Sequence, residues 1–245
     1  MKPAKWVLAT TVSLAMGAGG CSPSPEAKAG AAQADDGWTQ PPTIANARLA
    51  GATLIIDGVA EPGARVVLRG DAGAAYAVTA DEAGAFQIRM IASPQTVLLR
   101  PETQIGQDAA ASPERLLLVE GGKGPMAVLR PGQSTRRLDP APPLGAIDSD
   151  GGQVLASGAI DGPQTISAGG RTSTISPDGE GRWSLLLDPS QAAAITVGGR
   201  TFAWPGSSAS GGPTASPEVT RAGAGWRVRW SASQGSLQST WLPDR

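Results

Sequence analysis

From about Ala45 onward the chain is written in short β-favouring runs, each closed within a few positions by Gly, Pro, Asp or Ser. The runs are too short for helical heptads, and several alternate apolar and polar residues with the period of two expected of a half-buried strand. The first set is Thr53–Ile56, Arg65–Leu68, Tyr76–Thr79, Phe86–Met90, Thr96–Leu99, Arg115–Val119 and Met126–Leu129. The second is Gln153–Ala156, Gln164–Ser167, Thr172–Ile175, Trp183–Leu187, Ala194–Val197, Thr201–Trp204, Trp226–Trp230 and Leu237–Trp241, the last two joined as a hairpin through Ser231–Ser236. Such spacing predicts an all-β fold of one or two small antiparallel β-sandwich modules.

The turns have a mechanism. Glu61-Pro62-Gly63-Ala64 places Pro second and Gly third, as a type II turn requires, and Asp81-Glu82-Ala83-Gly84 suits a type I turn. The two sets also read as divergent repeats. Asp81-x-x-Gly84-x-Phe86 aligns with Asp178-x-x-Gly181-x-Trp183, and upstream Gly58-Val59-Ala60 aligns with Gly158-Ala159-Ile160. A Pro-rich break at Asp139-Pro140-Ala141-Pro142-Pro143 separates them. This organises the chain as residues 1–20, 21–44, a first sandwich over 45–137 and a second over 138–245.

The stretch from Gly58 to Val66, with its Pro62-Gly63-Ala64 turn, and the Ala80-Asp81…Gly84-Ala85-Phe86 hairpin resemble bacterial Ig-like domains over roughly residues 45–120. The second unit keeps the Asp-Gly-aromatic hairpin but has Asp161-Gly162-Pro163 in place of the Pro-Gly turn. The resemblance implies adhesive, spacer or ligand-binding modules, without catalytic residues.

The N-terminus carries an export signal: Lys2 and Lys5, an apolar stretch from Trp6 to Met16, then the small residues Ala18-Gly19-Gly20 directly before Cys21. The apolar stretch falls short of the roughly 18 residues that span a bilayer. Ala18-Gly19-Gly20-Cys21 resembles the lipobox of bacterial lipoproteins, with Ala in the first position where Leu is usual. The resemblance implies cleavage before Cys21 and acylation of its sulfur, palmitate included; Ser22 implies sorting to the outer membrane, at its periplasmic face. Two or more acyl chains anchor stably where one does not. Residues 22–42 are rich in Pro, Ala, Ser and charge and read as a flexible, disordered tether.

Composition narrows the function. The chain has no His and a single Cys, which removes the commonest general base, the Ser-His and Cys-His nucleophile pairs, internal disulfides and thiolate zinc sites. With 20 basic against 21 acidic residues there is no electrostatic footprint for nucleic acid. No enzyme, cofactor or metal is expected. The partners expected are the membrane, through the anchor, and an envelope protein or glycan.

Five of the seven Trp lie from residue 183 onward. In Trp226-Arg227-Val228-Arg229-Trp230, alternation puts Trp226, Val228 and Trp230 on one face and Arg227 and Arg229 on the other. The two Trp would either fill a core or, with Arg227 and Arg229, form a platform that stacks on sugar rings of a surface glycan or peptidoglycan; the core reading is favoured. Asp148-Ser149-Asp150-Gly151-Gly152 resembles the start of a calcium loop but lacks its later ligands, so an exposed turn is expected. Gly121-Gly122-Lys123-Gly124 lacks the Ser/Thr of a phosphate loop and is expected as a hairpin turn. Arg136-Arg137 is expected to be solvated.

Overall fold

The computed structural model describes residues 38–70, 73–207, 217–232 and 235–245. Cys21, the leader and the tether up to Gly37 lie outside the described residues. From Trp38 to Arg245 the chain forms one compact unit, almost entirely β.

Among the described residues four antiparallel sheets make it up. The first joins β1 (Thr43–Ala50), β2 (Thr53–Val59) and β5 (Ala85–Ile91) in the order β1-β2-β5. The second is built on β3 (Arg65–Gly70), β4 (Ala75–Thr79) and β6 (Val97–Ile105). It is extended by β8 (Arg115–Leu118), β9 (Met126–Leu129) and β10 (Arg136–Arg137) in the order β10-β9-β8-β6-β3-β4, with β7 (Asp108–Ala111) hydrogen-bonded to the end of β6.

The same plan recurs. The third sheet holds β11 (Ala146–Ser149), β12 (Val154–Ala159) and β15 (Arg182–Leu187), and the fourth holds β13 (Gln164–Ala168), β14 (Arg171–Ile175), β16 (Ala194–Val197) and β17 (Arg200–Ala203), in the order β14-β13-β16-β17. A terminal meander of β18 (Glu218–Arg221), β19 (Gly225–Ser231) and β20 (Leu237–Pro243) joins the third sheet through β20 against β11, giving β15-β12-β11-β20-β19-β18. Each repeat is thus an Ig-like sandwich, with strands one, two and five facing strands four, three and six.

The repeat seen in the sequence is a repeat of hydrogen bonds. The Asp81 carboxylate accepts from the N–H groups of Ala83 (2.9 Å) and Ala85 (2.8 Å). Asp178 accepts from those of Glu180 and Arg182 (both 2.9 Å). Gly84 and Gly181 close these hairpins at φ +80° and +75°, where a side chain is strained. Their carbonyls accept from the N–H groups of Ala60 and Ile160, both at 2.8 Å. Phe86 lies across from Gly58 and Trp183 across from Gly158. A Cβ on Gly58 would come within 2.4 Å of the Phe86 ring, and one on Gly158 within 2.0 Å of the Pro143 carbonyl oxygen. In both repeats the glycine opposite the aromatic, 28 positions before Phe86 and 25 before Trp183, stands where a neighbouring group leaves no room for a side chain.

Three apolar cores lie between the four layers. Ile44, Ile56, Leu68, Phe86, Ile88 and Leu116 fill the first sandwich. Ile147, Ile166, Trp183, Ile195, Phe202 and Trp241 fill the second. The third lies between the sandwiches: Leu98, Leu117, Ala127 and Leu129 from the second sheet meet Ala146, Val228, Trp230 and Leu242 from the third. Strand alternation makes this possible. Along β8 and β9 the side chains alternate faces, so Leu116 and Val128 enter the first core while Leu117, Ala127 and Leu129 enter the middle one. Most of the middle core comes from β8, β9, β19 and β20, strands additional to the shared plan. The two end faces are polar: Arg48, Asp57, Gln87 and Arg89 interact on the first sheet, and Thr172, Ser167, Thr196 and Thr201 form a row across the fourth.

Candidate functional site

The Trp226–Trp230 segment occupies β19, and the structure corrects the platform reading. Trp230 is only 2 % exposed and packs in the middle core beside Val228, its ring Nε1 donating to Thr240 Oγ1 at 3.3 Å. Trp226 is half-buried against the same core, with the Arg221 guanidinium 4.8 Å from its ring centroid. Arg227 and Arg229 do point to the opposite face, but Arg227 donates to the carbonyls of Pro205 (3.2 Å) and Gly206 (2.9 Å), and Arg229 pairs with Glu218 at 2.8 Å. The four residues therefore present no open aromatic face flanked by available cations. The physical reason is the second sandwich face, which needs large apolar groups to bury against sheet two.

The polar chemistry concentrates instead at the junction between the repeats. Arg136-Arg137 is not a solvated pair. The Arg137 side chain is 5 % exposed and that of Asp139 is fully buried. Asp139 accepts from Arg137 Nη2 at 2.7 Å and Nε at 2.9 Å, from the Met126 N–H at 2.8 Å and from Arg245 Nε at 3.2 Å. Arg137 also donates to the carbonyls of Gly145 and Pro243, both at 3.1 Å. One guanidinium thus ties β10 of the first repeat to the start and end of the second. Burial alone would raise the Asp139 pKa; the bonds and charge of Arg137, with Met126 and Arg245, outweigh it and hold the carboxyl below its usual range. Arg136 reaches the other way, to the Ala45 carbonyl at 2.9 Å and to the Ile44 carbonyl, clipping β1 at its bulge.

Asp148 is a second acid here, half-buried as a residue, and it too departs from the exposed turn expected of Asp148–Gly152. It sits in β11 with Oδ2 accepting from the Thr135 N–H (2.7 Å) and Oδ1 from the hydroxyls of Thr135 (2.6 Å) and Thr240 (2.7 Å). Asp150 alone makes the turn, accepting from the N–H groups of Gly152 and Gln153. No cation pairs with Asp148 among the described residues, so burial dominates the three hydrogen bonds and pushes its pKa up to about 6.

A pH dependence follows. A folded-state pKa above the unfolded value of ~3.9 means that protonation stabilises the fold. That contribution is complete below pH ~4 and is lost as pH rises through about 6. Its size is roughly 2 kcal/mol once residual exposure is allowed for. Asp148→Asn should flatten the urea midpoint between pH 4.5 and 7.5 and leave it no lower than wild type at pH 7.5, since the amide can accept from the Thr135 N–H and donate to both hydroxyls. A wild-type midpoint that rises steadily across this window would contradict the assignment. Asp139 acts in a separate window, below its unfolded pKa, where its loss on protonation destabilises.

Beside the junction lies a cleft of about 680 Å³. Arg130 and Arg136 line it from the first repeat; Asp178, Glu180 and Arg182 line it from the Asp-Gly-aromatic hairpin of the second. Single residues in the sequence gave no sign of this cleft; the signal available was the second hairpin's Asp178-x-Glu180-x-Arg182 charge set, facing the Arg-rich stretch before the Pro break. Gly121–Gly124 lies in the tight connection between β8 and β9, which opens with a 3₁₀ turn over Val119–Gly122, as expected of a hairpin turn.

No family model and no curated protein matches this chain. Among solved structures, it is similar to a Ca²⁺-stabilized adhesin that helps an Antarctic bacterium bind ice, at 14 % identity and a TM-score of 0.25 over 84 % of this chain and 48 % of that one. It is also similar to a 1.5-MDa bacterial ice-binding adhesin, at 12 % identity and a TM-score of 0.24 over 82 % of this chain and 63 % of that one. The chain spans about half of the first adhesin chain and under two thirds of the second. At these TM-scores the overlap assigns no family and no activity.

Proposed function

We propose that the chain is a cell-envelope lipoprotein, fastened through acylated Cys21 to the periplasmic face of the outer membrane, whose folded body is a non-catalytic structural or interaction module. The anchor reading rests on the lone Cys directly after Ala18-Gly19-Gly20 at the end of an export leader. The observation that carries the module reading is where the costly groups go. Trp183, Trp230 and Trp241, and the buried Arg137–Asp139 pair, are all engaged in holding layers together. A body so braced suits a spacer or docking unit held off the membrane by the stretch after Cys21.

Replacement of Cys21 by Ser tests the anchor. The wild-type protein should fractionate with membranes, with a diacylglyceryl-modified Cys21 as its mature N-terminus by mass spectrometry; Cys21→Ser should move it to the soluble periplasmic fraction. Equal membrane association of the Ser variant would refute the proposal.

A further inference from the structure

One guanidinium in the cleft between the repeats has no carboxylate partner among the described residues. Arg130 donates to Glu114 at 3.0 Å, Arg182 to Glu180 at 2.7 Å and to Asp178 at 3.3 Å, and Arg137 to Asp139 at 2.7 Å. Glu114 and Asp139 thus each hold a guanidinium, and Asp178 and Glu180 share that of Arg182. Arg136 is the exception. Its partners are the two backbone carbonyls of Ile44 and Ala45, and among the described residues no carboxylate lies within ion-pair distance of it. A guanidinium carries five N–H donors in a planar fork, so several remain for a ligand. Burial is the largest influence on Arg136 and lowers its pKa; the Glu114 and Glu180 charges oppose that shift and those of Arg182 and Arg130 add to it, and a bound anion would offset the burial. The remaining lining carries the hydroxyls of Ser134, Ser176 and Ser184. An apolar ligand gains little from such walls, and a hydroxyl-rich one can exchange hydrogen bonds with them. The volume falls within the range of small-ligand sites.

We propose that this cleft binds a hydroxyl-rich molecule carrying one oxyanion, an acidic sugar unit with its carboxylate or phosphate on Arg136. Arg136 grips the anion as a bidentate fork, and the Ser hydroxyls meet the ring hydroxyls. The site is independent of the anchor: the titration below reads the folded body, and loss of lipidation at Cys21 leaves it unchanged.

The test is calorimetric titration of the full chain at low salt with trigalacturonate, glucose 6-phosphate and, as a neutral control, maltotriose. At least one anionic sugar should bind, maltotriose should not, and added salt should weaken binding. Arg136→Gln should weaken it at least ~10-fold, the loss of one charge-assisted bidentate contact. Because Arg136 also clips β1, Ser176→Trp serves as a second variant. It fills the cleft from an exposed position that takes no part in the β1 clip, and should abolish binding at an unchanged melting temperature. Arg221→Gln, which removes an exposed pair with Asp244, should bind as wild type. Trigalacturonate alone binding identifies a carboxylate site, and glucose 6-phosphate alone a phosphate site. Binding of neither, or binding unaffected by both Arg136→Gln and Ser176→Trp, overturns the proposal.

Discussion

Asp139→Ala should lower the unfolding free energy by about 3–5 kcal/mol, read from urea denaturation at pH 7.5. The carboxylate is fully buried and takes hydrogen bonds from Arg137, Met126 and Arg245. Its removal leaves the buried Arg137 guanidinium without its counter-charge and the Met126 N–H without an acceptor, and such orphaned groups cost more than the intact pair contributes. The sign of the comparison is informative. Replacing both partners at once, as in Arg137→Met with Asp139→Leu, should cost less than Asp139→Ala alone, because no charge is stranded. A double variant less stable than Asp139→Ala would mean that the bonds from Arg137 to Gly145 and Pro243 matter more than the ion pair.

Trp230→Ala should cost a comparable ~3–5 kcal/mol, the range for truncating a buried large aromatic. The ring is the largest side chain in the core between the sandwiches, so a cavity opens where Leu117, Leu129 and Leu242 converge on that core. Trp226→Ala should cost clearly less. That ring is only partly covered, and its loss removes peripheral packing and a cation–π contact with Arg221 worth ~0.5–1 kcal/mol. Urea midpoints of the two variants separate an internal role from a surface one. Equal, small effects would mean that Trp230 faces solvent.

Much of the fold was legible because local signals agreed. Every run read as a strand is one, and the Asp-Gly-aromatic hairpins fold alike down to single hydrogen bonds. The strands that escaped notice are β1, β7, β10, β11 and β18. Thr43–Ala50 is rich in Ala and broken by a bulge at Ala45, Asp108–Ala111 is mostly Ala, Arg136–Arg137 is two charged residues, and Ala146–Ser149 and Glu218–Arg221 carry one or two apolar side chains each. Their places are set by neighbouring strands, not by their own propensity. The site was harder to read for the same reason. Period-two alternation put Trp226, Val228 and Trp230 on one face correctly, but alternation cannot say whether that face meets water or another sheet. Nor can it show that Arg137 and Asp139, at the edge of a Pro-rich break, are buried, because their donors and acceptors at Met126, Gly145, Pro243 and Arg245 come from distant parts of the chain.

That the two repeats act as one body rests on the middle core and the Arg137–Asp139 tie, and scanning calorimetry of the full chain tests it most directly. A single cooperative transition is expected, with calorimetric and van't Hoff enthalpies in agreement and with Trp fluorescence and far-ultraviolet circular dichroism tracing the same curve. Asp139→Ala and Trp230→Ala should shift that whole transition to lower temperature. Two resolved transitions in the wild-type protein, each with the enthalpy of one sandwich and neither moved by those substitutions, would contradict it.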